Sequence, residues 1–278
     1  MKAKCFDVRR EEEGEDLQDF LASQLFLSRN KAKALVDSRN VTVNGRRVWM
    51  ARHALRQGDV VELLTPDIPA ARVRTVTVLH EDESIVIANK PAGVLSNGPA
   101  SAEADLRSRR AEPGLQAAHR LDRDTSGCLL FARSPAVFDQ LVARFRNHEV
   151  IKDYHVIVAG SLMTEDRTLE GDIDGLTAVT HIRTLDANRQ ASHLIARIET
   201  GRTHQIRRHL ADIRHPVLGD RQYGAAPKST RPGVVLPERH MLHAFEIALP
   251  HPVTAAQIRV QAPLPADFLQ CLKALKLR

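Results

Sequence analysis

From residue 73 onward, strand-like segments outnumber helical ones, and this imbalance constrains the fold more than any other feature of the chain. The strand-like segments are residues 73–79, 85–89, 128–131, 154–158, 177–185 and 193–199. Three helices are predicted among them: one capped by Ser134 and begun by Pro135, one over residues 203–213 and one over residues 265–277. Strands that seldom alternate with helices one for one predict an α+β fold with a mainly antiparallel, mixed sheet.

A smaller α+β domain is predicted ahead of it, over residues 1–64. Apolar residues recur at helical spacing in residues 15–25, and Ser28 can cap a second helix that ends at Ser38. Residues 41–48 alternate around Asn44-Gly45, the strongest hairpin signal in the chain. Residues 65–72 contain two prolines and little periodicity, so we interpret them as a linker to a second domain over residues 73–278.

Basic charge is concentrated in the first domain. The 278-residue chain has 40 Lys and Arg against 34 Asp and Glu, a modest net charge of +6. Residues 28–58, however, contain eight basic residues and one acid, Asp37. Candidate RNA contacts in this segment are Arg29, Lys31, Lys33, Arg46 and Arg47. The alternative is a solvated helix face and hairpin, which is the commoner meaning of scattered charge.

Several other functional classes are disfavoured. The three cysteines, Cys5, Cys128 and Cys271, form neither a zinc-type pair nor a disulfide framework, which favours a reducing compartment. No signal core or membrane-length apolar run occurs, so we expect a cytoplasmic protein. The pairs His204/His209 and His240/His243 lack accompanying Glu or Cys ligands, and no glycine-rich phosphate loop is present. We therefore expect no metal and no cofactor.

The segment HRLDRDTSG, residues 119–127, carries the clearest chemical signal. Asp122 has Arg120 and Arg123 within three positions, and guanidinium charge favours the ionised form that a nucleophile or base requires. Hydroxyl and glycine residues follow, which predicts an ordered loop before a strand. The structural alternative is an Asp–Arg pair that only closes a surface loop.

This segment resembles the signature of the RluA-type pseudouridine synthase family. Two further blocks match in the same order: KDYHVIVAG at residues 152–160 and GRTHQIRRHLADIRHPVLGDRQYG at residues 201–224. Weaker similarities lie at residues 85–96 and 241–252. The N-terminal sequences SRNKAK, VTVNG and QGD resemble the S4-type RNA-binding domain, which precedes the catalytic domain in many enzymes of this family.

The resemblance assigns roles to individual residues. It implies that Asp122 is the catalytic carboxylate and that Arg207 is its basic partner. An arginine beside Ile206 on a buried helix face needs such a partner in any case. By resemblance, Tyr154 stacks on the target uracil and Arg120 contacts the flipped nucleotide or fills its vacated space. Arg202 is a candidate for substrate contact through phosphate, whereas Arg208 can equally face solvent.

The implied reaction is isomerisation of uridine within structured RNA, ribosomal RNA in preference to transfer RNA, by a monomer that needs no obligatory protein partner. Whether Asp122 acts as nucleophile or as base stays open. One alternative is a non-catalytic RNA-binding or ribosome-assembly factor with the same fold. Another is a metal-free hydrolase that pairs Asp122 with a histidine, for which His119 is the only local candidate.

Overall fold

The computed structural model describes residues 2–25, 29–37, 41–48, 50–65, 75–224 and 237–278. The chain divides into two compact units, Met1–Val73 and Arg74–Arg278. Among the described residues, no helix has the length and apolar character needed to cross a membrane.

The first unit is a four-stranded antiparallel sheet with two helices. Its elements are β1 (Lys2–Asp7), a 3-10 turn (Arg10–Glu12), α1 (Leu17–Leu25), α2 (Arg29–Asp37), β2 (Val41–Val43), β3 (Arg46–Arg47) and β4 (Val60–Thr65). The strand order is β1-β4-β2-β3. The helices pack their apolar faces on this sheet, and Leu17, Phe20 and Val36 are fully buried in the shared core.

The predicted hairpin is present between β2 and β3. Asn44 and Gly45 both have positive φ, 52° and 75°, as a two-residue turn of this kind requires. The Asn44 side chain also accepts a hydrogen bond from the N–H of Val60 and donates one to Asp59, both at 2.8 Å. The turn is therefore tied to the start of β4, which fixes the register of the sheet.

The second unit is built on a ten-stranded sheet. Its strands are β5 (Thr77–Glu81), β6 (Ile85–Lys90), β7 (Gln116–Ala117), β8 (Ser126–Ala132), β9 (Ile151–Ala159), β10 (Arg167–Ile173), β11 (Leu176–Ala187), β12 (Ala191–Ile198), β13 (Leu242–Pro250) and β14 (Gln257–Gln261). Its helices are α3 (Ala102–Arg110), α4 (Pro135–Arg146), α5 (Gln205–Asp212) and α6 (Ala266–Leu275).

The strand order is β10-β11-β12-β9-β13-β8-β6-β5, with β14 paired to β13 and β7 paired to β8. Only the β13–β8 pair is parallel, and all other described pairs are antiparallel. The expected α+β fold with a mainly antiparallel, mixed sheet is thus confirmed. Ser134 caps α4 by accepting a hydrogen bond from the N–H of Val137, as predicted.

Both faces of the central strands are covered, which explains their continuous apolar sequences. In β6 and β8, alternate residues enter two separate cores: Leu129 and Phe131 face one, whereas Cys128 and Leu130 face the other. Helices α3 and α5 contribute to the first core, and α4 contributes to the second. The first core also contains Tyr154, so this face of the sheet holds the residues singled out by sequence.

A glycine is required where β8 meets β13. Gly127 has φ 116°, and a Cβ at this position would lie 2.1 Å from the carbonyl oxygen of Ala244. The two backbones approach too closely for any side chain. The parallel pair therefore depends on the last residue of HRLDRDTSG.

Some expectations differ from the structure. Thr65, predicted to begin the linker, is the last residue of β4, and residues 66–72 lie outside the described part of the chain. Ser28 and Ser38, the predicted limits of the second helix, also lie outside it. The predicted strand 73–79 begins only at Thr77 among the described residues. The elements that were not anticipated include β1, α3, β7, β10 and β14.

Candidate active site

Asp122 lies in a short loop, residues 121–125, that leads directly into β8. The N–H of Thr125 donates to the carbonyl oxygen of Asp122 at 3.1 Å, which closes a turn around the two intervening residues. Asp122 is therefore an ordered loop residue before a strand, as the sequence indicates. Arg123, expected to support Asp122, instead forms an ion pair with Asp124 at 3.2 Å.

The loop is anchored on one side by the chain that follows β6. Ser96 Oγ accepts from the N–H of Leu121 at 2.8 Å and donates to the carbonyl oxygen of Leu121 at 3.0 Å. Lys90 is fully buried, and its Nζ donates to the carbonyl oxygen of Arg123 at 3.0 Å and to two carbonyls of its own loop. Burial lowers the pKa of Lys90 to about 7.

The loop is anchored on the other side by residues just before β13. The buried Arg239 donates to the carbonyl oxygen of Asp124 at 3.0 Å and forms a bidentate ion pair with Asp267 of α6. His240 Nε2 and Thr125 Oγ1 are hydrogen-bonded at 2.8 Å. Burial lowers the pKa of His240 to about 4, so this ring is neutral at pH 7. Backbone and hydroxyl contacts on both sides thus fix the position of the carboxylate.

Arg207 meets Asp122 from α5. Its Nη1 donates to Asp122 Oδ2 at 2.9 Å, and its side chain is only 7% exposed. The other edge of the guanidinium forms a bidentate pair with Asp220, through Nε at 2.6 Å and Nη2 at 2.9 Å. One buried arginine therefore bridges two carboxylates, which satisfies the condition that a buried charge be fully paired.

Asp220 is the part of this arrangement that sequence reasoning missed. Its side chain is fully buried, and it also accepts from the N–H groups of Gln222 and Tyr223 at 2.9 and 3.1 Å. Burial raises the pKa of Asp220, but the hydrogen bonds from Arg207 and the two amides outweigh this and leave the pKa below its usual value. Tyr223 places its ring 5.1 Å from the guanidinium carbon of Arg207. The sequence feature that could have indicated Asp220 is its position in the block at residues 201–224, which also contains Arg207.

Tyr154 reaches the site from β9. It is 6% exposed and shares a core with Val156 and Val158, the alternation that the sequence predicts. Burial, reinforced by the charge of Asp122, raises the pKa of its hydroxyl, so the phenol is neutral. Tyr154, Asp122 and Arg207 all line one pocket with a volume of about 100 Å³. The structure brings the three predicted residues together.

Arg120 and Arg202 line the same pocket. Arg120 is exposed, and Arg202 Nε donates to the carbonyl oxygen of Thr177 at 3.2 Å. Arg208, the other candidate in that block, does not line the pocket and pairs with Asp174 at 2.9 Å. Two arginines therefore line the pocket beside the partly exposed carboxylate of Asp122.

The histidine proposed for a hydrolase does not face Asp122. His119 Nε2 accepts a hydrogen bond from the N–H of Leu130 at 3.1 Å, and burial lowers its pKa to about 3. This ring can serve as neither a base nor an acid beside Asp122, so the local candidate was wrong. His204 lies closer, with Nε2 3.7 Å from Asp122 Oδ1. Across the described ranges, no group of three or more His, Cys, Asp or Glu could hold a metal ion.

The predicted RNA-contact residues all fall within the first unit. Arg29, Lys31 and Lys33 belong to α2, and Arg46 and Arg47 form the exposed strand β3. Lys33 forms an exposed ion pair with Asp37 at 2.9 Å.

Comparison with known proteins identifies both units. Residues 84–212 match the family model described as RNA pseudouridylate synthase, and residues 17–61 match the S4 domain model. A curated relative from Xylella fastidiosa (strain Temecula1), named ribosomal large subunit pseudouridine synthase D, is 34% identical over 93% of this chain and 88% of its own length. The chain belongs to the RNA pseudouridine synthase family. It is an isomerase that converts uridine in RNA to pseudouridine, and it carries an S4 domain for RNA binding.

Other comparisons agree with this assignment. A relative of the same name from Haemophilus ducreyi (strain 35000HP) is 31% identical over 93% of this chain and 90% of its own length. The solved structure of human RNA Pseudouridylate Synthase Domain Containing 4 matches with a TM-score of 0.62 at 24% identity, covering 73% of this chain and 94% of that one. This structural likeness concerns the fold.

Proposed function

We propose that the enzyme isomerises uridines of ribosomal RNA, with Asp122 as its catalytic carboxylate. The observation that carries the proposal is the Asp122–Arg207 ion pair at 2.9 Å, in a pocket that Tyr154 also lines. The ribosomal substrate is supported by the names of two curated relatives, both ribosomal large subunit pseudouridine synthase D, which are similar to this chain over most of its length. A substrate of this kind favours a cytoplasmic location.

The reaction needs no redox partner, because it rearranges bonds within one nucleoside. The bond between uracil N1 and ribose C1′ breaks, the base turns, and C1′ rejoins the base at C5. The C5 proton is lost, and N1 gains a proton. Asp122 can attack the sugar or ring as a nucleophile, or it can remove a proton from the ribose carbon next to C1′ as a base. Both routes need an ionised carboxylate at a fixed position.

In the proposed mechanism, Arg207 holds the Asp122 carboxylate at that fixed position. A guanidinium paired on both edges cannot move without breaking a buried ion pair with Asp220, so its Nη1 holds Asp122 in one orientation. When the pocket excludes water, this ion pair strengthens, because charges attract each other more strongly in a medium of low dielectric constant.

Tyr154 and Arg120 act on the flipped nucleotide in this proposal. A base removed from its stack loses an aromatic neighbour, and the buried ring of Tyr154 offers a replacement surface. Its neutral phenol adds no charge beside Asp122. Arg120 is exposed at the pocket and can occupy the space that the nucleotide vacates, while Arg202 can pair with a neighbouring phosphate.

We further propose that residues 1–64 hold the RNA while residues 73–278 carry out catalysis, and that the enzyme works as a monomer. The basic residues of α2 and β3 support phosphate contact in the first unit.

The decisive test is a pseudouridine map of total RNA from cells that lack the gene, complemented with the natural sequence or with Asp122→Asn. We expect discrete ribosomal pseudouridines to vanish and to return only with the natural sequence. In vitro, Asp122→Asn should lower turnover at least about 10³-fold while RNA affinity stays near normal, because the amide keeps the shape but cannot act as nucleophile or base.

Asp105→Asn is the matched control, since Asp105 also forms a bidentate pair, with Arg109 at 2.7 and 3.0 Å, but does not line the pocket. It should retain turnover. Retained turnover by Asp122→Asn would refute the catalytic role, and RNA binding without any product from the natural sequence would instead indicate a non-catalytic RNA-binding factor.

A further inference from the structure

His204 immediately precedes α5 and lines the same pocket as Asp122. Its backbone is left-handed, with φ 56°, a conformation that non-glycine residues rarely adopt. It occupies the N-cap position of the helix, yet its side chain makes no capping hydrogen bond. A strained residue that does not cap its helix needs another reason for its conformation. Here, the conformation directs the ring toward the Asp122 carboxylate.

The ring is held by a short hydrogen-bond relay. Gln222 Nε2 donates to Tyr223 Oη at 3.1 Å, and Tyr223 Oη lies 2.9 Å from His204 Nδ1. Because the phenol oxygen already accepts from Gln222, its O–H is available to donate to Nδ1. The relay therefore favours the tautomer in which Nε2 carries the proton.

The second nitrogen faces the reacting region. Nε2 lies 3.7 Å from Asp122 Oδ1, which is too far for a direct hydrogen bond. A lone pair at Nε2 would face a carboxylate, whereas an N–H is attracted to it, so the electrostatics favour the same tautomer.

Burial is the main influence on the pKa of the His204 ring. Burial lowers the pKa of His204, the carboxylates of Asp122 and Asp220 oppose this, and the cations of Arg207 and Arg120 add to it. The result is a pKa below the usual value, and the imidazole is neutral at pH 7.

We propose that His204 is a substrate-contacting residue whose Nε2–H donates to the uracil carbonyl oxygen next to N1, in the reaction proposed above. In the two routes that begin at the ribose, Asp122 acts at C1′ or the adjacent ribose carbon, and this carbonyl is the uracil oxygen that lies nearest to those atoms. As the N1–C1′ bond breaks, its electron pair stays with the base, and negative charge spreads onto that oxygen. A fixed neutral donor stabilises this charge without a competing proton transfer. The contact strengthens in the transition state, so it should affect kcat more than KM.

The first test compares His204→Ala, His204→Gln and Tyr223→Phe under single-turnover conditions on one RNA. We expect His204→Ala to lower the rate on the order of 10²-fold with little change in RNA affinity, and His204→Gln to restore part of it through its amide donor. Tyr223→Phe keeps the ring over Arg207 and removes only the O–H, so it should cost about 2- to 10-fold. His148→Ala is the matched control, because His148 is also left-handed, with φ 57°, but exposed and outside the pocket.

The second test changes the acceptor. With 2-thiouridine at the target position, sulfur replaces the oxygen and accepts hydrogen bonds poorly. We expect the natural enzyme to react much more slowly with 2-thiouridine than with uridine. His204→Ala should react with the two targets at similar rates, so the effects of the mutation and of the sulfur should not multiply. A 4-thiouridine target should slow both enzymes equally. Nitrogen NMR of the His204 ring should also show a protonated Nε2 in the free enzyme, a readout that does not depend on turnover.

The outcomes separate the two proposals. Suppose that the natural enzyme forms pseudouridine and that His204→Ala forms it at the same rate. The role of His204 is then wrong, while the proposed function stands. The same conclusion follows if 2-thiouridine slows His204→Ala by the same factor as it slows the natural enzyme. If NMR shows a protonated Nδ1 and a bare Nε2, the donor role also fails. If the natural enzyme forms no pseudouridine, the proposed function fails and this role fails with it.

Discussion

The two units of the enzyme use positive charge in opposite ways. In the second unit, Arg207 is 7% exposed and lies between two carboxylates, one of which is fully buried. In the first unit, Arg46 and Arg47 are exposed on a two-residue strand, and the Lys33–Asp37 pair is about half exposed. Buried ions need a complete set of partners, whereas exposed ions are screened by water and salt.

We expect this difference to distinguish the residues that act in catalysis from those that bind the RNA. A buried, fully paired cation acts on one atom at one distance, so its removal should change the rate steeply and with little salt dependence. Exposed cations act on a polyanion as a group, and each contributes a small increment that salt weakens. Mutations of single residues, together with changes in salt concentration or pH, can therefore test this difference.

The largest effect is expected from Arg207→Lys. Lysine keeps the charge but has no planar fork, so it cannot hold Asp220 through two nitrogens and Asp122 through a third. We expect single-turnover rates to fall about 10²- to 10³-fold, equally at low and high salt, with RNA affinity nearly unchanged. Rapid-quench assays of pseudouridine formation at two salt concentrations measure this.

Arg197→Lys provides the matched control for that change. Arg197 forms a bidentate pair with Asp153 at 2.7 Å, but its side chain is 51% exposed. An ion pair whose arginine is half exposed and which lies outside the pocket contributes little to the reaction, so the rate should change by less than about threefold. Equal losses in the two variants would mean that burial is not what distinguishes the arginine at the active site.

A second effect is expected on stability in acid. Burial lowers the pKa of His155, His240 and His243 to about 4, against 6.5 for an ordinary histidine. Between pH 6.5 and 4 the unfolded chain binds protons that the folded chain excludes, so the free energy of unfolding falls as the pH falls. Each such histidine contributes roughly 1.4 kcal/mol per pH unit in that window. Urea titrations across this pH range measure the slope.

The variant His243→Asn should reduce that slope by about one proton, because it removes a group that must remain neutral in the folded state. His148→Asn, at an exposed position, is the control and should retain the slope of the natural protein. An unchanged slope in His243→Asn would show that this histidine does not drive acid unfolding.

The sequence anticipates the parts of the enzyme that local chemistry determines. Asn44-Gly45 specifies its hairpin, Ser134 caps its helix, and the turn after Asp122 precedes β8, since each depends on neighbouring residues. The Asp122–Arg207 pair, 85 positions apart, was expected only through the family resemblance, because periodicity carries no information about which loop meets which helix.

The missed features depend on tertiary pairing. In β10 only Leu169 and Ile173 are buried, so the segment shows no alternation and becomes a strand by pairing with β11. Asp220 and Tyr223 acquire their roles from the position of Arg207, which their own neighbours do not reveal. His204 was considered only as a metal ligand, and its relay to Tyr223 is visible only in three dimensions.

The smallest effect per residue is expected in the first unit, where Arg46→Ala and Arg47→Ala each remove one exposed cation from β3. If each contacts one phosphate, the slope of log K against log salt should fall by about one per substitution, while the rate at saturating RNA stays unchanged. Filter binding over a salt series measures this. Arg9→Ala removes an arginine of the same unit that is 76% exposed but lies outside the basic segment, and it should leave the slope intact. A slope that falls equally in Arg9→Ala would mean that RNA senses the net charge of the unit. A fall confined to β3 would mean that the hairpin itself lies on the RNA backbone.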